Sequence, residues 1–224
     1  MIPWALLDTA QVPGGGGMLR LMRRGTEFSI MLGQNELMNS RLSGSEEALA
    51  AMACGRIRAR ERPRVLIGGL GMGFTLRAAL AALGTEAQIV VAELVPAVLA
   101  RARSSMVEVF GDSLTDPRVS VCEADVGHLI RTGRLPFDAI VLDVDNGPQA
   151  LTRESNDRLY DLEGLSAARS MLRSGGVLAI WSSGPNLNFA QRLRKTGFDV
   201  DEVRVRSTGM RGGARHVIWI STRS

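Results

Sequence analysis

Short apolar runs, each closed by glycine or an acid, set the rhythm of the chain. From residue 64 onward, runs near 64–68, 88–92, 118–122, 138–143 and 176–182 have the length of buried strands, and helical spacing fills the stretches near 72–83, 96–109, 125–132 and 157–172. Strict alternation of strand and helix implies right-handed βαβ crossovers and a parallel sheet. The alternation breaks at the end. A helix near 186–196 leads into Asp199–Arg206, then Gly209, Gly212 and Gly213, then Arg215–Ser221, so two consecutive strands pair as a hairpin. Upstream, Met18–Met22 and Glu27–Leu32 read as two short strands around Arg24 and Gly25, with Gly14–Gly17 as their flexible approach. Ser43 stands three before Glu46, a capping-box spacing that starts an Ala-rich helix running to about Ile57. The pattern predicts a small N-terminal β appendage over 1–42 and an α/β domain over 43–224.

The first core strand breaks into a glycine-rich turn that opens a helix: Arg64–Arg77 reads RVLIGGLGMGFTLR. Gly68, Gly69, Gly71 and Gly73 let the chain turn where side chains would collide, and backbone N–H groups at the helix start can face a carboxylate, ribose or phosphate. Glycines in such turns also serve close packing alone. The second strand adds Glu93 about 20 residues on, where folds of this kind place the acid that meets ribose hydroxyls. Otherwise Glu93 caps the helix that starts near Pro96.

A further chemical centre is Ala139–Pro148, AIVLDVDNGP, in which an apolar strand ends in Asp143 and Asp145. Ligands of open α/β sheets sit at the carboxyl ends of strands near the switch in strand order, which sets Asp143 beside the nucleoside site. Asp145 reads equally as a cap of the turn made by Asn146, Gly147 and Pro148. Trp181, closing the strand GVLAIW, lines an acceptor pocket or packs the core.

Composition narrows the classes. With 224 residues, 45% hydrophobic and 22% charged, the chain can bury a sizeable core. The net charge of +4 rests on scattered arginines, Lys195 being the only lysine, and no aromatic alternates with them, which argues against nucleic acid. Arg56, Arg58, Arg60, Arg62 and Arg64 read as a helix end and a solvated rim. No apolar run reaches the roughly 18 residues of a membrane span, and no charged n-region precedes a long apolar stretch. Cys54 and Cys122 lack metal-ligand spacing and read as free thiols, so the expectation is a cytoplasmic protein that needs no metal. His128 and His216 form no cluster along the sequence.

A parallel sheet ending in an antiparallel hairpin resembles the Rossmann-like class I methyltransferase fold of S-adenosylmethionine-dependent transferases, with seven strands. Within it, the chain resembles the spermidine synthase family of aminopropyltransferases over nearly its whole length. VLIGGLGMGFTLR resembles that family's cofactor loop, which assigns Gly69, Gly71 and Gly73; AELVPAV its ribose-binding segment, with Glu93; EAD at 123–125 its adenine-binding segment, with Asp125. LDVDNGP, then LTRE to Tyr160, resembles its catalytic loop and following helix. The resemblance implies Asp143 as the proton-accepting carboxylate, Asp145 as a second acid on the substrate amine, S-adenosylmethionine or its decarboxylated form as co-substrate, and a small-molecule amine as acceptor. It also implies a homodimer joined through the β appendage.

Two departures stand out. The family's Tyr-His-Glu run before the first core strand is here Ser45, Glu46, Glu47, which keeps only Glu47 for the amine pocket, and Met72 replaces an acid inside the glycine loop. Glu46 and Glu47 also read as ordinary first-turn acids. Two other readings stay open: a methyltransferase on the same fold, since DNGP distantly resembles the Asn/Asp-Pro-Pro-aromatic loop of amine methyltransferases, and a non-catalytic nucleoside-binding homologue.

Overall fold

The computed structural model describes residues 2–13, 17–144, 158–208 and 213–224. The chain opens with an antiparallel four-stranded sheet in sequential order, β1 (Ala5–Gln11), β2 (Met18–Arg24), β3 (Glu27–Leu32) and β4 (Asn35–Asn39). After α1 (Gly44–Ile57) come β5 (Arg64–Gly68), α2 (Phe74–Ala82), β6 (Gln88–Glu93), α3 (Pro96–Ala102), α4 (Val107–Phe110), β7 (Val119–Glu123), α5 (Val126–Thr132) and β8 (Phe137–Leu142). The last described elements are α6 (Leu162–Met171), β9 (Leu172–Ser182), α7 (Leu187–Lys195), β10 (Phe198–Arg206) and β11 (Arg215–Arg223).

The larger sheet has the order β10-β11-β9-β8-β5-β6-β7. Strands β5 to β9 run parallel, while β11 pairs antiparallel with both β9 and β10. This is the seven-stranded, mostly parallel sheet with a terminal hairpin that the residue pattern predicts. Successive side chains sort to opposite faces. Val65, Ile67, Ala139 and Val141 enter one core with α1, α2 and α3, and Leu66, Ile140 and Leu142 enter the other with α6 and α7. The chain walks outward from β5 to β7 and returns to β8 on the other side of β5, so the topological switch lies between β5 and β8. Their carboxyl ends meet there: Asp143 N–H donates to the Gly68 carbonyl at 2.9 Å.

The N-terminal sheet has four strands where the sequence suggests two. β1 is exposed along nearly its whole length, so ALLDTAQ carries no alternation to read; it is held by its backbone ladder to β2 and by Asp8, which pairs with the buried Arg101 of α3 at 2.8 Å. The inner face of this sheet, including Leu19, Leu21, Phe28 and Ile30, lies in the same core cluster as Leu49, Leu76, Val98 and Leu99.

Three local expectations change. α2 begins at Phe74 because Gly71 and Gly73 are left-handed (φ +52° and +76°), a conformation that cannot propagate a right-handed helix. The helix expected over 96–109 is broken into α3 and α4, and the capping box at Ser43 does not form. Ser43 makes no side-chain cap bond, and the Glu46 carboxylate instead accepts from Ser45 Oγ at 2.7 Å.

The arginine rim does more than meet solvent. Asp138, fully buried at the start of β8, accepts from Arg60 at 2.7 Å, Arg173 at 3.1 Å and the Arg64 N–H at 2.7 Å, which joins three elements at the amino end of the sheet. Cys54 and Cys122 are free thiols, and burial pushes Cys54 up to about 12. Among the described residues, no helix is long and apolar enough to cross a membrane, and no group of three His, Cys, Asp or Glu side chains could hold a metal ion.

Candidate active site

Two adjoining cavities open over the carboxyl ends of β5, β6 and β8. The first, about 140 Å³, brings together Gly69, Gly71, Glu93, Asp125 and Asp143. Leu37 and Met38 of β4 close it from the N-terminal sheet. The second is bordered by Gly71, Asp143, Glu36, Glu46, Trp181 and His216, with Met38 again in the wall. Asp143, Gly71, Leu37 and Met38 belong to both linings, so Asp143 stands where the two spaces meet.

The glycines divide the work. Gly69 is left-handed (φ +90°), and a Cβ there would sit 2.3 Å from the Asp143 carbonyl oxygen, so only glycine lets the loop after β5 pass the end of β8. Gly71 borders both cavities, and a Cβ on it would fill space 3.3 Å from Met38 Sδ. Gly73 lines neither. It precedes α2, and its missing side chain makes room for the Phe110 ring, which a Cβ would meet at 2.6 Å. Its missing side chain serves the packing of that ring.

Glu93 ends β6 with only 7% of its surface exposed. One carboxylate oxygen accepts from the Leu70 N–H at 3.0 Å and the other from the Val95 N–H at 2.8 Å, which fixes the glycine loop to the end of β6. Burial raises its pKa, and the backbone N–H groups oppose that rise. The Gly71 and Leu94 N–H groups also act on this carboxylate, which borders the first cavity. Glu93→Gln is expected to cost about 1–3 kcal/mol, because the amide nitrogen must face at least one of these N–H groups; thermal melting of variant and wild type checks it. Asp125 accepts from the His128 N–H at 2.7 Å as the cap of α5 while also facing the first cavity.

Asp143 is part-exposed at the cleft and enclosed by protein elsewhere. Its carboxyl is pushed up to about 7, first by burial and then by the Glu46 carboxylate, against a hydrogen bond from Thr75 Oγ at 2.5 Å. Glu46 is raised as well, chiefly by burial, with the Ser45 hydroxyl opposing. A helix turns about 100° per residue, so adjacent residues cannot share a face. Glu46 enters the second cavity and Glu47, the residue expected there, is exposed outside it. Trp181 does line this cavity, edge-on to the His216 ring at 4.6 Å. Asp145 lies outside the described residues.

Sequence reasoning missed Glu46, Ser45, Thr75 and His216. Thr75 carries the one available signal, a hydroxyl in the first turn after a ligand-type glycine loop. His216 comes from β11 and reaches Ser45 of α1 at 2.9 Å, a pairing across 171 residues that no local spacing reveals.

No family model matches the chain. Among curated proteins it is similar to the polyamine aminopropyltransferase of Mycobacterium tuberculosis, 34% identical over 124 residues that cover 54% of this chain and 23% of that protein. Similar matches are the polyamine aminopropyltransferase of Korarchaeum cryptofilum, 31% identical over 56% of this chain and 37% of that protein, and polyamine aminopropyltransferase 1 of Streptomyces coelicolor, 32% identical over 63% and 27%. The chain thus spans about a quarter to a third of the length of these relatives. Among solved structures, spermidine synthase from Thermotoga maritima superposes with a TM-score of 0.76 at 17% identity, over 98% of this chain and 72% of that one. A spermidine synthase in complex with the transition state analogue AdoDATO gives the same TM-score, and a probable spermidine synthase from Corynebacterium glutamicum gives 0.62 over 97% and 80%. In sequence the chain is similar to polyamine aminopropyltransferases over about half of its length, and its fold is the one seen in the spermidine synthase structures.

Proposed function

We propose that the chain transfers an aminopropyl group from decarboxylated S-adenosylmethionine to a small amine. The observation that carries this is the place of Asp143, at the junction of a cavity with Gly71, Glu93 and Asp125 and a second, acid-lined cavity. The residues of the first cavity suit a nucleoside. Gly71 leaves backbone open to the ligand, Glu93 sets a carboxylate beside ribose hydroxyls, and Asp125 offers a carboxylate to an exocyclic amine.

The co-substrate supplies a carbon activated by a cationic sulfur, which leaves as a neutral thioether. An amine attacks that carbon, the C–N bond forms as the C–S bond breaks, and the proton shed by nitrogen must be taken up. Asp143 can accept it, because a carboxyl held near 7 is available as a base at neutral pH. It also aligns the nitrogen by accepting one of its hydrogens. Glu36, Glu46 and Asp143 favour cationic groups over a carboxylate, which supports the decarboxylated form of the donor.

The test is to incubate the protein with decarboxylated or ordinary S-adenosylmethionine and a panel of amines, and to identify products by mass. Aminopropyl gain is expected. Methyl gain would instead make the chain a methyltransferase, and nucleoside binding without any gain would make it a non-catalytic homologue.

A further inference from the structure

Beside the second cavity, a hydrogen-bonded run of side chains that the transfer step does not use links two of its lining residues, Glu46 and His216. Ser45 is fully buried at the start of α1, and its Oγ donates to Glu46 Oε2 at 2.7 Å. A serine has one hydroxyl proton, so the same Oγ can only accept from His216 Nδ1, 2.9 Å away. With Glu46 ionised, that sets the tautomer: Nδ1 carries the proton and Nε2 is a bare lone pair. Nε2 has no hydrogen-bond partner among the described residues, and the ring borders the cavity that Asp143 shares. Burial lowers the pKa of His216, which keeps the ring neutral. Trp181 braces it, ring centroids 4.6 Å apart with the planes at 67°.

We propose that His216, oriented by Ser45 and Glu46, accepts a hydrogen bond from the amine acceptor and, with Asp143, positions its nitrogen for transfer. The proposal rests on the aminopropyl-transfer reading of the site. A neutral imidazole nitrogen accepts an N–H without adding a further negative charge to the three acids of this cavity, so His216 contributes direction to the amine while the acids contribute attraction. Among the described residues, the other ionisable groups at this cavity are Asp143, Glu46 and Glu36, the last 3.5 Å from Arg41.

The chain has only two histidines, and His128 is exposed on α5, so imidazole nitrogen resonances are assigned by a single variant. In wild type, His216 is expected to show the Nδ1–H tautomer, and addition of 1,4-diaminobutane should shift its Nε2 resonance while His128 stays still. His216→Asn keeps a group able to reach Ser45 and removes Nε2; it should raise KM for the amine about tenfold, the worth of one hydrogen bond, with KM for the sulfonium substrate unchanged. Ser45→Ala should release the tautomer and weaken the response to the diamine. A His216 resonance that ignores saturating diamine, or a His216→Asn protein with unaltered KM for the amine, overturns the proposal. The resonance measurement needs no turnover, so a protein that fails to transfer refutes the reaction and leaves this test standing.

Discussion

Asp143→Asn is expected to lower transfer by a factor on the order of 10²–10⁴, the usual worth of a positioned general base, while nucleoside affinity stays within about twofold. The same substitution should stabilise the protein. The Asp143 carboxyl is raised from 3.8 to about 7 in the folded chain, so between those values the folded state holds a proton that the unfolded state has released. The group is therefore at no disadvantage below pH 4, loses stability as pH rises toward 7, and bears the full cost above it. Asn at this position carries no charge to bury and can still accept from Thr75. The variant's melting temperature should match wild type near pH 4 and exceed it increasingly up to pH 7, by a difference of about 1–3 kcal/mol once solvent screening at the open side is allowed for. Thermal melts across this range, with product assays alongside, measure both effects; equal melting at pH 8 would place the carboxylate in water rather than against Glu46.

Gly69→Ala is expected to be the most damaging single methyl in the site. The backbone there is left-handed, which costs a non-glycine residue about 1–2 kcal/mol, and the added carbon would stand 2.3 Å from a backbone oxygen that cannot swing aside. Relief requires the loop after β5 to separate from the end of β8, which moves Asp143 from the junction of the cavities. A loss on the order of 3–5 kcal/mol, together with loss of nucleoside binding, should appear in denaturant titration and calorimetry. Gly71→Ala provides the contrast: its neighbour is the flexible Met38, so stability should fall less than ligand affinity.

The contrast between the two cavities shows what a sequence exposes. Gly69, Gly71, Glu93, Asp125 and Asp143 were legible because each follows an apolar strand at its carboxyl end, and a parallel sheet necessarily aligns those ends. The α/β alternation and the terminal hairpin were legible for the same reason, as one buried face after another repeats along the chain. The second cavity is assembled differently. Glu46 comes from α1, Trp181 from β9 and His216 from β11, and only the insertion of β11 between β9 and β10 carries the imidazole back to α1. The choice of Glu47 over Glu46 turned on helix phase, which matching by residue type does not contain. β1 carries no signal because an exposed edge strand held by backbone bonds needs no alternation, and the packing of Gly73 on Phe110 is invisible because the two lie on elements far apart in the chain.

Leu37 and Met38 give the N-terminal sheet a consequence larger than its size. They form part of the wall of both cavities, so whatever settles there touches that sheet and the glycine loop at once. Occupancy and adhesion of the two layers are then thermodynamically linked: each bound molecule acts as mortar between them, and any substitution that loosens the masonry is felt as weaker affinity, even many ångströms from the reacting atoms.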